Sequence, residues 1–261
     1  MTRHLTTIAT ALAVAASLAS GCGSDSPSTT ADGPTTTASS IAPVIDPGDV
    51  GDYKPVLDPA DFVDVIDNPY MPLLPGSRWV YEGTSDGEAE RIEVVVTDER
   101  KTILGISAVV VRDTVTINGE LVEDTFDWFA QDRDGAVWYL GEATEEYENG
   151  KVISTAGAWE AGVDGALPGV VMPATPKVGD AFRQEFYAGE AEDMAEVIAV
   201  SATEVVAGEP LADLVTTRDW TPLDPGVIEL KHYAPGIGLV LEEKVAGGVA
   251  RVELRSFTPG A

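Results

Sequence analysis

The acidic residues of one predicted β-hairpin are the part of this sequence best placed to do chemistry. Asn118-Gly119 is a dipeptide favoured in two-residue hairpin turns, because both residues accept positive φ. In that register Asp113 lies directly opposite Asp124 on an otherwise apolar face, and the next turn brings Glu142 to the same face. Like charges placed opposite each other destabilise a sheet. The pattern therefore predicts a buried acidic cluster of Asp113, Asp124 and Glu142.

Four interpretations of this acidic cluster remain open. Arginine or lysine from elsewhere in the fold, or an open rim, would neutralise it as an ordinary structural feature. A divalent cation such as Ca²⁺ suits hard oxygen ligands, and a carboxylate pair with one raised pKa suits general acid and base catalysis. The fourth interpretation is a different strand register, which would separate the three acids. The sequence favours the first interpretation.

Aromatic residues on the predicted strands are the second candidate site. Trp79, Phe126, Trp128 and Trp138 fall in strand-like segments of the first half of the chain. They fit two roles, core packing or the lining of an apolar ligand cavity in the mouth of a barrel.

The chain has few other residues of the types that catalytic sites commonly use. Beyond His4 the chain has only His232, which lies in a strand-like segment, and its single cysteine is Cys22. No G-x-S-x-G motif accompanies the histidine, and a zinc site built on one histidine is not expected. The sequence therefore predicts no catalytic residue, no resident metal and no cofactor, and a protein that is not an enzyme.

The sequence around these candidate site residues predicts β-strands throughout the folded part of the chain. Strong turn signals, among them Asn118-Gly119 and Asn149-Gly150, separate five segments rich in β-branched and aromatic residues. The predicted strands of this meander are Glu93–Thr97, Ile106–Ile117, Leu121–Ala130, Ala136–Leu140 and Val152–Ser154.

The second half of the chain repeats the order of the first. Pro75–Trp79 corresponds to Val178–Phe182, and Arg112-Asp113 to Arg218-Asp219, at offsets close to 100 residues. A single curved sheet cannot bury its apolar face, so two such repeats should close on each other. We therefore predict an all-β, mainly antiparallel fold, in which two tandem, diverged β-meander repeats form a barrel or two packed half-barrels. The predicted segments are a signal peptide (1–21), a disordered tether (22–60), repeat one (61–157), a Gly/Pro-rich crossover (158–178) and repeat two (179–257).

The first 60 residues are predicted to target and anchor the protein rather than to form part of its fold. A basic start and a short apolar run precede Ser20-Gly21-Cys22, which resembles the lipobox of bacterial lipoproteins. That resemblance implies a lipid on Cys22 and a place on the extracytoplasmic face of the cell membrane. The alternative is an ordinary signal peptide cut nearby. The Ser, Thr and Pro-rich stretch that follows cannot bury enough apolar surface to fold, so we predict a tether.

The charge excludes one class of partner. The formal net charge is −28, and a surface that negative repels nucleic acid, whose binding depends on Lys and Arg. Solubility is favoured over selective cation binding as the reason for the large excess of acidic residues.

Several segments resemble a family of uncharacterised bacterial exported and lipid-anchored proteins; they are Ile66–Tyr70, Pro75–Gly83, Glu146–Lys151, Glu190–Glu196 and Tyr233–Val240. More loosely, the repeat looks like curved-sheet lipoproteins that shuttle acyl chains. The leading hypothesis is therefore a lipid-anchored binding or scaffolding module, with a barrel cavity for a lipid or another amphiphile. The alternatives are a carboxylate-dependent hydrolase and a surface protein stabilised by Ca²⁺ without another ligand.

Overall fold

A computed structural model describes residues 53–261, and this part of the chain is almost entirely antiparallel β-sheet. The predicted fold class is confirmed, because the strands form one nearly closed, barrel-shaped sheet. The signal peptide and Cys22 lie outside the described residues. Within residues 53–261 no helix is long and apolar enough to cross a membrane.

Between residues 53 and 261 the chain forms sixteen strands and one short 3₁₀ helix (Pro59–Asp61). The strands are β1 (Phe62–Val63), β2 (Arg78–Ser85), β3 (Glu88–Ile103), β4 (Ile106–Ile117), β5 (Glu120–Asp132), β6 (Val137–Glu148), β7 (Lys151–Ser154), β8 (Trp159–Glu160), β9 (Leu167–Met172), β10 (Ala181–Arg183), β11 (Glu185–Phe186), β12 (Met194–Val206), β13 (Glu209–Trp220), β14 (Ile228–Ala234), β15 (Gly238–Ala246) and β16 (Ala250–Thr258).

The sheet is two meanders joined edge to edge. Its main order is β10-β12-β13-β14-β15-β16-β2-β3-β4-β5-β6-β9-β11. The last strand, β16, pairs with the first long strand, β2, and so joins the two halves. The approach is close at Gly83 of β2, where a Cβ atom would collide with the backbone of Arg251. The junction therefore has no room for a side chain at residue 83.

The two halves begin with the same backbone hydrogen bonds. In the first half Gly76 N donates to Val96 O, and Val96 N donates to Ser77 O. In the second half Gly179 N donates to Val197 O, and Val197 N donates to Asp180 O. The internal duplication stays a prediction, and this match gives it a structural counterpart at the segments that the sequence had paired.

The predicted hairpin at Asn118-Gly119 forms, but the register beyond it differs from the prediction. The two residues have φ values of 51° and 84°, as the turn requires, and Ile117 pairs with Glu120. The register then shifts, so that Val115 lies opposite Glu123 instead of Val122. This β-bulge adds one residue to β5. A one-residue shift turns every following side chain to the other face of the sheet.

Two predicted boundaries also change. The predicted tether includes residues that contact the folded domain, since the hydroxyl of Tyr53 donates to Pro168 O at 2.7 Å. The predicted crossover contains strand β9, whose Val170 pairs with Trp138 of β6. Both segments had been assigned as irregular because they are rich in Gly, Pro and Ala, whereas Tyr53 and strand β9 contact the folded domain.

Candidate functional site

The inner face of the barrel is rich in carboxylates. Side chains alternate between the two faces of a strand, and the alternating buried positions of β3 to β6 point inward. The buried inner acids of the first half are Glu90, Asp113, Glu123, Asp127 and Glu142; those on β13 to β15 of the second half are Asp219, Glu229 and Glu242. Glu185, Glu192 and Asp193, at the start of the second half, are further buried acids.

Of the predicted acidic cluster, Asp113 and Glu142 lie on the inner face and Asp124 does not. The β-bulge turns Asp124 outward, where the guanidinium of Arg112 donates two hydrogen bonds to its carboxylate, at 2.8 and 2.6 Å. Asp113 and Glu142 are 2 and 3% exposed. The predicted three-residue cluster is therefore wrong in its composition, and Glu123 and Asp127 take inner positions on β5 instead.

Tyr139 links two of the inner acids. Its hydroxyl oxygen lies 2.6 Å from Asp127 Oδ1 and 2.9 Å from Glu142 Oε2. A phenol has a single proton to donate, so one of the two carboxyls must itself be protonated and donate to the tyrosine oxygen. Burial raises the pKa of both Asp127 and Glu142, which favours this shared proton.

The acids of the second half face lysines. Lys231 lies opposite Glu242 and Lys244 lies opposite Glu229 in the β14–β15 register. The ammonium of Lys231 is 3.5 Å from Asp219 Oδ2 and 4.0 Å from Glu242 Oε2, and that of Lys244 is 3.9 Å from Glu229. Opposite charges thus share the inner face of the second half.

An apolar cavity of about 60 Å³ opens on the inner face where the two halves join. A water molecule needs about 10–15 Å³ on this scale, so the cavity has room for roughly four to six waters. The lining residues come from β2, β3, β4, β14, β15 and β16 and from the segment before β2; they are Met71, Pro72, Leu73, Trp79, Tyr81, Ile92, Val94, Asp113, Tyr233, Gly238, Leu239, Glu242 and Val252.

Backbone carbonyls hold the aromatic side of this cavity in place. The indole of Trp79 donates to Ile237 O at 2.7 Å, and the hydroxyl of Tyr81 donates to Leu239 O at 3.0 Å. Both bonds cross from the first half of the chain to the second. They fix the two rings as a preformed wall.

Asp113 is the unusual residue of this cavity. Neither carboxylate oxygen has a hydrogen-bond partner, and within residues 53–261 no cationic side chain forms an ion pair with it. Burial, reinforced by Asp127, Glu123 and Glu242, raises the pKa of Asp113 well above its usual range. An apolar cavity with an unpartnered carboxyl in its wall can accept a ligand that has one polar end.

Only one of the four predicted cavity aromatics lines the cavity. Trp79 does, whereas Phe126 is 36% exposed on the outer face. Trp128 shares that outer face, and its ring lies under the Lys101 ammonium. Trp138 pairs with Ala130, an outward position, and its indole donates to Asp132. The β-bulge is the reason for the error at Phe126 and Trp128.

The sequence analysis missed Leu239 and Glu242 as cavity residues. A signal for Glu242 exists, because Glu229 and Lys231 on one strand alternate with the same period as Glu242 and Lys244 on the next. His232, predicted to be structural, is buried and lies 3.1 Å from Thr216 through its Nδ1 atom. Among the described residues, no three His, Asp or Glu side chains are grouped so that they could hold a metal ion.

Comparison with known proteins yields structural neighbours. No family model and no curated protein matches the chain. An exported protein of Bacteroides fragilis with a YmcC-like fold is similar at a TM-score of 0.43 and 16% identity, over 73% of this chain and 99% of that one. A lipoprotein of Parabacteroides distasonis is similar at a TM-score of 0.40 and 11% identity, over the same shares.

Proposed function

We propose that this protein is an extracytoplasmic, lipid-anchored binding module that holds an amphiphilic small molecule in the cavity between its two halves. The observation that carries the proposal is the cavity itself, which combines an apolar wall with a buried carboxyl that has no partner. Ligand sites in proteins have this composition, with many apolar groups and few polar ones. Localisation and anchoring rest on the lipobox-like segment around Cys22.

The inner acids support a binding role better than a hydrolytic one. Asp127 and Glu142 share a proton through Tyr139, as a general acid and base would. However, Asp127 is fully buried, and neither acid lines the cavity. A substrate would have no access to the pair, so we assign it a structural role.

Ligand capture by the full-length protein tests the proposal. We expect native mass spectrometry of protein purified without detergent to show a bound amphiphile, or uptake of one added decan-1-ol, decanoate or decylamine. The variant Leu239→Trp fills the cavity and should abolish uptake. The matched control Val249→Trp adds the same ring at a site that is 74% exposed and should bind normally.

Two results would overturn this function. One is a ligand-free mass for the wild-type protein that none of the three probes changes. The other is equal uptake by the cavity and surface variants. Should Leu239→Trp fail to fold, Val94→Phe, another cavity-lining change, replaces it. A melting temperature raised by Ca²⁺, with no uptake of any probe, would favour the calcium-stabilised alternative.

A further inference from the structure

Building on the proposed function, we propose that the cavity selects amphiphiles with a cationic head, a primary alkylammonium in particular, whose nitrogen binds Asp113. The first carbons of the alkyl chain would lie against Trp79, Ile92 and Val252, which line the same cavity. The rest of a longer chain would extend beyond the cavity, whose volume of about 60 Å³ holds only its first part. Such a ligand places three N–H donors beside the carboxylate oxygens that lack partners. If the proposed function fails, this inference fails with it.

Burial makes Asp113 costly when it is alone and useful when a cation is present. Burying a charge without a partner is unfavourable, while a paired and hydrogen-bonded charge is tolerated. The side chain is 2% exposed, and no group of the described residues supplies the missing partner. A bound ammonium would complete the site, as Lys231 and Lys244 do for the acids of the second half.

The surroundings of Asp113 favour positive charge. The groups that face it are Asp127 and Glu123 from β5 and Glu242 from β15, with Asp124 further away on the outer face. Tyr81 from β2 is also close enough to interact with it electrostatically. Lys231 pairs with Asp219 and Glu242 and does not line the cavity. A ring such as that of Trp79 adds an attractive face for an ammonium group.

Binding of the ammonium should release a proton. Because burial and the neighbouring acids raise the pKa of Asp113, its carboxyl in the empty protein keeps its proton to a higher pH than a solvated aspartate does. The ligand RNH₃⁺ then binds the carboxylate, and the carboxylic proton passes to solvent, so charge and atoms balance. The affinity for the amine should rise by up to about tenfold per pH unit while Asp113 is protonated in the empty state. A neutral alcohol should show no such dependence.

Isothermal titration calorimetry of the full-length protein tests the selectivity. We expect decylamine to bind at least about tenfold more tightly than decan-1-ol or decanoate at pH 7.5, a difference of about 1.4 kcal/mol. Titration in buffers of different ionisation enthalpy should show release of about one proton per amine. Asp113→Asn should lower amine affinity to that of the alcohol and leave alcohol binding unchanged. The matched control Asp124→Asn, on the outer face, should change neither.

The outcomes separate this inference from the function on which it rests. Binding of the alcohol or the fatty acid as tightly as the amine overturns the inference and supports the proposed function. Amine binding that survives Asp113→Asn also overturns the inference. If none of the probes binds, both proposals fail. If Asp113→Asn does not fold, Glu242→Gln tests the other carboxyl of the cavity. If that variant leaves the selectivity unchanged, the ratio of amine to alcohol affinity in the wild type decides, and a ratio near one overturns the inference.

Discussion

The two halves of the sheet place acids at corresponding positions of the inner face but neutralise them differently. Asp113 and Asp219, which the sequence paired, are both buried. Asp219 has Lys231 at 3.5 Å, whereas among the described residues no lysine or arginine is paired with Asp113. Strands β13 to β15 neutralise Asp219, Glu242 and Glu229 with lysines, and the first half must protonate its inner acids or bind something else.

This difference separates a structural interior from a candidate binding interior. Cross-strand pairs such as Glu229 with Lys244 fill the second half without a ligand. In the first half Asp127 lies opposite Glu142, a pairing of like charges that a shared proton relieves. The cavity lies between the halves, and of its two acids Glu242 has Lys231 at 4.0 Å whereas Asp113 has no cation, which is why Asp113 is the residue that a ligand would complete.

The largest expected effect is a pH dependence that originates in the first half. Burial raises the pKa of Glu123 to about 8 from its usual 4.5. The folded state therefore holds a proton that the unfolded state has lost between these values, so stability is greatest below about pH 4.5 and falls as pH rises towards 8. We expect the free energy of unfolding to fall by ~3 kcal/mol or more across this range. Urea denaturation at several pH values measures it, and a flat or rising profile would contradict the raised pKa of Glu123.

Removal of a lysine from the second half should be nearly as severe. Lys231→Met leaves Asp219 and Glu242 without their shared cation in a site where all three side chains are 5% exposed. Loss of one partner from a buried ion pair typically costs ~3–5 kcal/mol. Lys151→Met, at an exposed position of β7, is the control and should change stability by less than ~0.5 kcal/mol. A loss below ~1 kcal/mol for Lys231→Met would show that the pairs do not neutralise this half.

Removal of an acid from the first half should have the opposite sign. Glu142→Gln keeps a donor for the Tyr139 oxygen without requiring a bound proton. Because burial raises the pKa of Glu142 well above 4.5, the variant should be more stable than the wild type by ~1–3 kcal/mol at pH 8. The gain should vanish below about pH 4.5, where both the folded and the unfolded state hold the proton. Glu145→Gln, exposed on the same strand, serves as the control, and destabilisation by Glu142→Gln at pH 8 would contradict the shared proton.

The smallest effect is expected on the outer face. Arg112 and Asp124 form a bidentate pair, but the arginine side chain is 48% exposed. Exposed pairs contribute only ~0–1 kcal/mol, so Arg112→Leu should lower stability by about 0.5 kcal/mol in urea denaturation. A loss of stability above ~2 kcal/mol would mean that Asp124 behaves as a buried acid that depends on Arg112 as its partner.

The turn residues explain which strand pairings could be predicted from the sequence and why the predicted register failed beyond them. Asn118-Gly119 determines the pairing of Ile117 with Glu120, and the predicted β4 segment matches the observed one. No turn-forming residue at the β-bulge that follows predicts it from the sequence, because the bulge depends on how β5 packs against the rest of the barrel. That one residue moved Asp124 and Phe126 outward and left Asp113 in place. Glu123 and Asp127 could not be assigned to the inner face without knowledge of the bulge.

The most direct test of the account is the location of a bound amphiphile. With indole ¹⁵N labels in the full-length protein, saturating decylamine should shift the Nε1–H signal of Trp79, which lines the cavity. The signals of Trp128 and Trp138, whose rings lie on the outer face, should stay unchanged. Movement of those two signals without Trp79, or no movement at all at saturation, would contradict a binding site between the halves.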